Sequence, residues 1–402
     1  MMYAKNQDCC LFHPYCNAGG GGERVLWRAI YAMQKEFAGQ KLHYVIYTGD
    51  YDVEESEILA NVKSRFNINS GSQNLSFIFL KNRWLLEAKY YPRFTLILQM
   101  IGGYLLGLEA LWKCSPEIFV DTTGIPLSLP LFRLLAGCKV VAYVHYPTIT
   151  TEMIAMVSRR DSSYNNAGAI AKSSLLTLCK VLYYKDFSML YRFCGMCTHL
   201  VMANGSWTAS HLQDLWGGQP SVVYPACDVK ELIDLPFLGE RRLLENNDVK
   251  ILSVGQIRPE KNHLLQLRIF AELKKQMELA GIDCKIKLII AGGCRDGEDE
   301  KRVDFLKNYA RENLKLDNDE DIEWCLNVPY TQLLKLFQTS LIGLHTMWNE
   351  HFGISVVEGL AAGNIMIAHN SAGPKMDIIG GYENDEKGNR EILSGKMLRK
   401  VP

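Results

Sequence analysis

The feature that most constrains this chain is a repeated alternation of short β-branched runs with helix-length amphipathic segments. Runs at residues 42–50 (LHYVIYTGD), 75–80 (LSFIFL), 117–124 (EIFVDTTG), 139–147 (KVVAYVHYP) and 199–205 (HLVMANG) follow a shorter one that ends near His13. A second series occupies residues 249–256 (VKILSVGQ), 285–293 (KIKLIIAGG), 340–347 (SLIGLHTM) and 364–370 (NIMIAHN). Strands separated by helices pair in parallel, and a parallel sheet must be covered on both faces, so each series predicts a doubly wound α/β domain. With 402 residues the chain exceeds what one core serves. We expect two Rossmann-like domains, at residues 1–228 and 249–380, with a hinge at 229–248 and a polar tail at 381–402. Pro225 and Pro236 bracket the segment of no clear period that joins the domains. In such domains ligands bind beyond the carboxyl ends of the strands, so the chemistry should lie just after each run.

Composition excludes several classes. Lysine plus arginine equals aspartate plus glutamate at 44 each, and both halves are near neutral, which leaves no nucleic-acid footprint. Twelve cysteines are scattered, and the one metal-like or redox-like spacing, Cys194 with Cys197, has no second pair. Buried thiols in a reducing compartment are expected, with no metal site, and the sequons at Asn74 and Asn204 are expected to stay unmodified. Residues 1–8 are polar and do not resemble a signal peptide. The longest apolar stretch, residues 94–112, carries Gln99, Glu109 and a Gly102-Gly103 pair, short of the roughly 20 clean apolar residues of a spanning helix. It reads either as a core helix or as a helix lying on a membrane surface, which Tyr90, Tyr91, Tyr104 and Trp112 would suit.

Two glycine-bearing turns stand out. After the run ending at Met347 come Glu350, His351, Phe352 and Gly353, then a helix-like segment from Ile354 that carries Glu358. A helix beginning there aims free backbone N–H groups and a positive dipole end at its surroundings, which suits a diphosphate. Glu358 would then accept from vicinal ribose hydroxyls, and Glu350 and His351 would lie near the phosphate-sugar bond. The plain alternative makes Glu350 a capping residue and Glu358 part of a solvated face. Gly353, the small Ala361-Ala362-Gly363 end and the loop at Gly373-Pro374 favour the ligand. The other turn is the run of four glycines at residues 19–22. It lacks the Gly-Lys-Ser/Thr ending of a P-loop, and an amphipathic helix with Val25, Leu26, Ala29, Ile30 and Met33 on one face follows at once. A close-approach turn remains, in which the backbone of Gly20, Gly21, Gly22 and Glu23 can come right up to a bound ligand.

Glu350 to Ile354 followed by VVEGLAAG resembles the E-x7-E motif of the retaining GT-B glycosyltransferases that use nucleotide sugars, and residues 253–273 (SVGQIRPEKNHLLQLRIFAEL) resemble their second landmark. Six blocks between residues 12 and 379 are similar to one branch of them, the GDP-mannose-dependent α-1,2-mannosyltransferases that extend the dolichol-linked oligosaccharide. These blocks include residues 143–153, 204–212, 222–228 and 343–354. The resemblance implies a GT-B fold with two domains facing across a cleft and retaining transfer of mannose without a metal or other cofactor. It implies GDP-mannose as donor and a dolichol-diphosphate-linked oligosaccharide as acceptor. It also implies work at the cytosolic face of the endoplasmic reticulum membrane, beside other transferases of N-glycan precursor assembly.

By the same resemblance, Lys261 and Arg258 stabilise the leaving diphosphate, as a metal-free transfer requires. Gln256 stands where many members have arginine, so Arg258 covers that role. His145 would touch the donor sugar, which gives a catalytic set of Glu350, His145, Lys261 and Arg258. The donor-binding set is Gly20, Gly21, Gly22, Glu23, Lys261, Arg258, His351, Phe352, Gly353, Ile354 and Glu358. Ser206 and Gly373 are assigned to the cleft, although Ser206 also reads as a helix N-cap. Gly205 and Ala226 replace residues more usual in the family. Its members begin with a membrane anchor and end in a helix that returns to the first domain. Neither is evident here, so a truncated enzyme with an incomplete second domain is expected. Two other functions stay open: a catalytically impaired chain acting as a binding partner, and a GT-B sugar-nucleotide epimerase. An NAD-dependent dehydrogenase is disfavoured, because neither glycine cluster supplies G-x-G-x-x-G.

Overall fold

The structure, a computed structural model, describes residues 7–69, 71, 74–159, 173–236, 238, 247–294, 297–379, 383–384 and 390–391. Its contacts divide the chain into two compact units, Met1–Ala226 and Cys227–Pro402.

The first unit is built on a seven-stranded sheet in the order β3-β2-β1-β4-β5-β6-β7. The strands are β1 (Gln7–Phe12), β2 (Leu42–Thr48), β3 (Leu75–Phe79), β4 (Ile118–Asp121), β5 (Lys139–Val144), β6 (Leu200–Ala203) and β7 (Ser221–Val222). Every pairing is parallel. Side chains alternate across a strand, and here the alternation feeds two cores. Cys10 and Phe12 enter one with Val45, Tyr47, Phe119 and Phe132. Cys9 and Leu11 enter the other with Trp27, Ile30, Tyr44 and Ile46. Helix Gly21–Glu36 closes this second core with Leu26, Trp27 and Ile30, so its inner face is centred one residue beyond Val25, the first member of the expected apolar face. Trp27 and Phe12 are fully enclosed, each worth roughly 2–3 kcal/mol of burial.

The ambiguous apolar stretch is helix Thr95–Lys113, buried along one side and exposed along the other. Met100, Gly102, Gly103, Leu106, Gly107 and Ala110 are buried. Phe94, Leu98, Ile101, Leu105 and Trp112 are exposed. The glycine pair is explained by contact: a Cβ on Gly102 would lie 2.3 Å from the Leu85 carbonyl oxygen, and one on Gly103 would lie 2.3 Å from Ile125. Cys194 and Cys197 are buried thiols, as expected, at the end of helix Ser174–Met196. Gly195 between them lets Trp216 pack where a Cβ would come within 2.0 Å of its ring. Among the described residues no group of three or more histidine, cysteine, aspartate or glutamate side chains is placed to hold a metal.

The second unit carries a five-stranded parallel sheet in the order β10-β9-β8-β11-β12. Its strands are β8 (Asp248–Val254), β9 (Lys285–Gly292), β10 (Ile322–Leu326), β11 (Ile342–His345) and β12 (Ile365–Ala368). Ile251, Leu288 and Ile290 face Leu267 and Phe270 of helix His263–Leu279. Leu252, Ile289 and Ala291 face Phe337 and Ala362 on the other side. Leu232, inside the segment expected as a hinge, is buried in this last cluster. The tail expected at residues 381–402 is described only at a short antiparallel pair, β13 (Glu383–Asn384) with β14 (Arg390–Glu391).

Candidate active site

In the first sheet the strand order reverses between β1 and β4, and that switch point places the segments after both strands side by side. His13 follows β1 and Thr122 follows β4, and their side chains meet at 2.8 Å. The Thr122 hydroxyl donates to the Phe12 carbonyl at 3.1 Å, so it accepts from His13 Nδ1–H, and Nε2 is left facing Glu23 Oε1 at 3.8 Å. Glu23 is buried, and its other oxygen accepts the Gly20 backbone N–H at 2.6 Å. Burial opposes its charge, yet His13 and the backbone donors hold the carboxyl below its ordinary range. Gly20 is the N-cap of helix Gly21–Glu36, and Glu23 closes the cap from the third position. His145, after β5, reaches the same place: a Cβ on Gly22 would touch its Nε2 at 3.6 Å and His13 Cε1 at 4.0 Å. Two imidazoles thus lie beside the start of the helix, and the fold brings Gly22, Glu23 and His145 together. Ser206 is the first residue of its helix rather than the cap, a position held by Gly205.

The second unit repeats the logic at its own switch point, between β8 and β11. The chain leaves β8 through Gly255 and Gln256, which lie against the end of β9 so closely that a Cβ on Gly292 would fall 1.8 Å from the Gly255 carbonyl oxygen. A 3-10 turn, Pro259–Lys261, then presents Lys261. Lys261 Nζ donates to Glu350 Oε2, and His345 Nε2 meets the same oxygen at 3.1 Å. Burial penalises the Glu350 charge, but the His345 hydrogen bond and the Lys261 ammonium hold the carboxyl far below its ordinary range. Thr346 donates to the Lys261 carbonyl at 3.0 Å and accepts from Gln266 Nε2 at 3.0 Å. His263 is buried too, and burial with the nearby Lys261 charge lowers its pKa to about 4. Arg258 lies 3.9 Å from Glu260.

Glu350 is not a cap: Gly353, with φ of +102°, caps helix Ile354–Ala361. Glu358 is buried rather than on a solvated face. Phe352 packs against Val356 and Ile378, so its side chain belongs to a small core. Gly373 donates its N–H to the Glu350 carbonyl at 2.8 Å, and a Cβ there would come within 2.5 Å of Phe352 Cα. Lys261, Glu350, Gly353 and Gly373 are thus one structural group. Sequence reasoning missed His345, Thr346, Gln266, His13 and Thr122. The available signal was position, since four of these five directly follow or end a strand at a switch point.

Solved structures share this architecture at low identity. The sucrose-phosphate synthase of Thermosynechococcus elongatus superposes with a TM-score of 0.59 at 15% identity, covering 93% of this chain and 84% of that one. A trehalose-phosphate synthase of Burkholderia xenovorans gives 0.61 at 10%, covering 92% and 87%. The fold is GT-B, and residues 239–389 match the family described as "Glycosyl transferases group 1". This makes the chain a glycosyltransferase. Residues 6–216 match "ALG11 mannosyltransferase N-terminus". The chain belongs to that mannosyltransferase family. A Caenorhabditis elegans relative named "GDP-Man:Man(3)GlcNAc(2)-PP-Dol alpha-1,2-mannosyltransferase" is 47% identical, over 99% of this chain and 83% of its own length. The Homo sapiens protein of the same name is 45% identical, over 96% and 77%. These alignments favour neither the epimerase nor the non-catalytic alternative.

Proposed function

We propose that this chain transfers mannose, with retention, from GDP-mannose to a dolichol-diphosphate-linked trimannosyl oligosaccharide, forming α-1,2 linkages. The observation that carries the reading is the grouping of Lys261, Glu350 and His345 at the β8/β11 switch point. The similarity to relatives named for that reaction supports it. Departure of GDP builds negative charge on the diphosphate, and the ammonium of Lys261 with the start of helix Ile354–Ala361 would stabilise that charge without a metal. Glu350 is engaged by two donors, which suits an electrostatic and positioning role better than that of a nucleophile. Transfer then proceeds on one face of the sugar, the donor phosphate taking the acceptor's proton. Glu358 is assigned to the ribose. In the first unit His145, Gly22 and Glu23 are assigned to the sugar and acceptor side, with Arg258 a secondary cation in the second.

A lipid-linked acceptor places the enzyme at a membrane, and we assign contact with the cytosolic face of the endoplasmic reticulum to the exposed side of helix Thr95–Lys113. That helix is long and apolar enough to cross a membrane by length and composition, and it sets Leu98, Ile101, Leu105 and Trp112 outward. The test is thermal stabilisation by GDP, GDP-mannose and UDP-glucose, followed by transfer of labelled mannose to the trimannosyl lipid with and without EDTA. Selective stabilisation by the guanine nucleotides and EDTA-resistant transfer are expected. Equal response to UDP-glucose, or label released only as free sugar, would overturn the assignment.

A further inference from the structure

Lys261 has two tasks that compete for one ammonium. In the structure its ammonium pairs with Glu350, yet the proposed transfer, on which this inference rests, needs the same ammonium at the donor's diphosphate. The Glu350 side chain is 13% exposed and that of Lys261 22%. Withdrawing one partner from so enclosed a pair leaves a charge without compensation, which is far costlier than never having formed the pair. The main chain is not what moves: Thr346, itself fixed by Gln266, holds the Lys261 carbonyl whichever way the ammonium turns. What Glu350 retains is His345. The imidazole is 5% exposed, and its Nε2 lies 3.1 Å from the oxygen that Lys261 also contacts. A carboxylate only accepts, so Nε2 carries the hydrogen. Nδ1 is buried with no hydrogen-bond partner among the described residues, so the ring has no other polar engagement there.

We propose that His345 is a positioning residue: it holds the Glu350 carboxylate while Lys261 is handed over to the diphosphate, and so makes donor binding affordable at this site. His345 and Thr346 are consecutive at the end of β11, one steadying the carboxylate and the other the lysine's backbone. The dipeptide thereby registers the two loops that must act together.

The test is GDP affinity, measured by calorimetry on the full chain, for the wild type, His345→Phe, His345→Gln, Glu350→Gln and the His345→Phe/Glu350→Gln pair. Phenylalanine keeps a ring but offers no donor, whereas the glutamine amide reaches the place of Nε2. His345→Phe should weaken GDP binding on the order of 10- to 100-fold, the effect of losing one hydrogen bond to a charged group. His345→Gln should stay within about threefold of the wild type, and in the Glu350→Gln background the histidine substitution should lose most of its effect. Unchanged affinity in His345→Phe overturns the inference, as does equal weakening by both histidine substitutions or weakening undiminished in the Glu350→Gln background. Ligand-free thermal midpoints of the two histidine variants separate misfolding from loss of the donor. Failure of the wild type to bind GDP would instead refute the donor assignment itself, and this inference with it.

Discussion

Replacing Glu350 with alanine should loosen the second unit locally and measurably. The substitution removes the acceptor shared by Lys261 and His345, and the two donors lose it in unequal surroundings. The His345 side chain is 5% exposed, so its N–H is left unsatisfied in the interior, at roughly 1–3 kcal/mol. Lys261 is 22% exposed and can turn to water, so its share is about 1 kcal/mol or less. Together these span about 1–4 kcal/mol, with a central value of about 2–3 kcal/mol near the lower limit for breaking a buried pair. Glutamine at the same position keeps an oxygen for His345 and should cost about 1 kcal/mol. The assay is native-state hydrogen exchange read on peptides covering residues 255–266 and 341–360, with residues 42–50 of the first unit as control. A loss of 2–3 kcal/mol appears as about 30- to 150-fold faster exchange through local opening, confined to the second unit. A change below about threefold in those peptides, or an equal change in the control, would refute the reasoning.

Stability should fall on the acid side of neutrality, and the sign follows from the direction of each shift. His263, lowered from 6.5 to about 4, binds a proton more readily when unfolded, so its contribution is lost as pH falls from 6.5 towards 4, on the order of 3 kcal/mol in all. Glu350, held below its ordinary 4.5, contributes above that value and loses its contribution only at still lower pH. Urea midpoints followed through Trp324 should therefore decline below pH 6.5, and His263→Leu should flatten the decline down to pH 4. Identical slopes in the two proteins would contradict this. Gly373→Ala drives a Cβ to 2.5 Å from Phe352 Cα, where backbone cannot yield cheaply, so KM for GDP-mannose should rise on the order of tenfold. An unchanged KM would dissociate the 373 loop from the site. Ile101→Glu with Leu105→Glu, at positions 44% and 46% exposed, should reduce co-sedimentation with phospholipid vesicles while leaving the unfolding free energy within about 0.5 kcal/mol of the wild type. Retained sedimentation would remove that face from the membrane assignment.

Period and turn chemistry made most of the architecture legible, because a strand buried on both faces shows as a continuous apolar run. β10 escaped for a physical reason. Its sequence, IEWCL, sits at the sheet edge behind an acidic stretch, and Glu323 and Trp324 are only half-buried, so the run is neither continuous nor alternating. β7 is two residues long, too short to carry a period. At the site, residue types whose purpose is rare in a core were readable: Lys261 and Glu350 in glycine-flanked loops, and four glycines before a helix. His345 and His13 were not, because a histidine ending a strand looks the same in sequence whether it fills space or holds a carboxylate. What distinguishes them is the switch-point adjacency of β8 with β11 and of β1 with β4, which belongs to strand order and not to local sequence. The Lys261–Glu350 pair, 89 residues apart, depends on the same adjacency.

The most direct measurement is linkage analysis of the product formed from GDP-mannose and the dolichol-diphosphate trimannosyl acceptor, comparing the wild type with Lys261→Ala and Glu350→Ala. The account predicts a mannose-extended lipid from the wild type whose added sugar is released by an α-1,2-specific mannosidase, and loss of that product in both variants. No extension by a wild-type protein that binds GDP, or an added sugar resistant to that mannosidase, would contradict it.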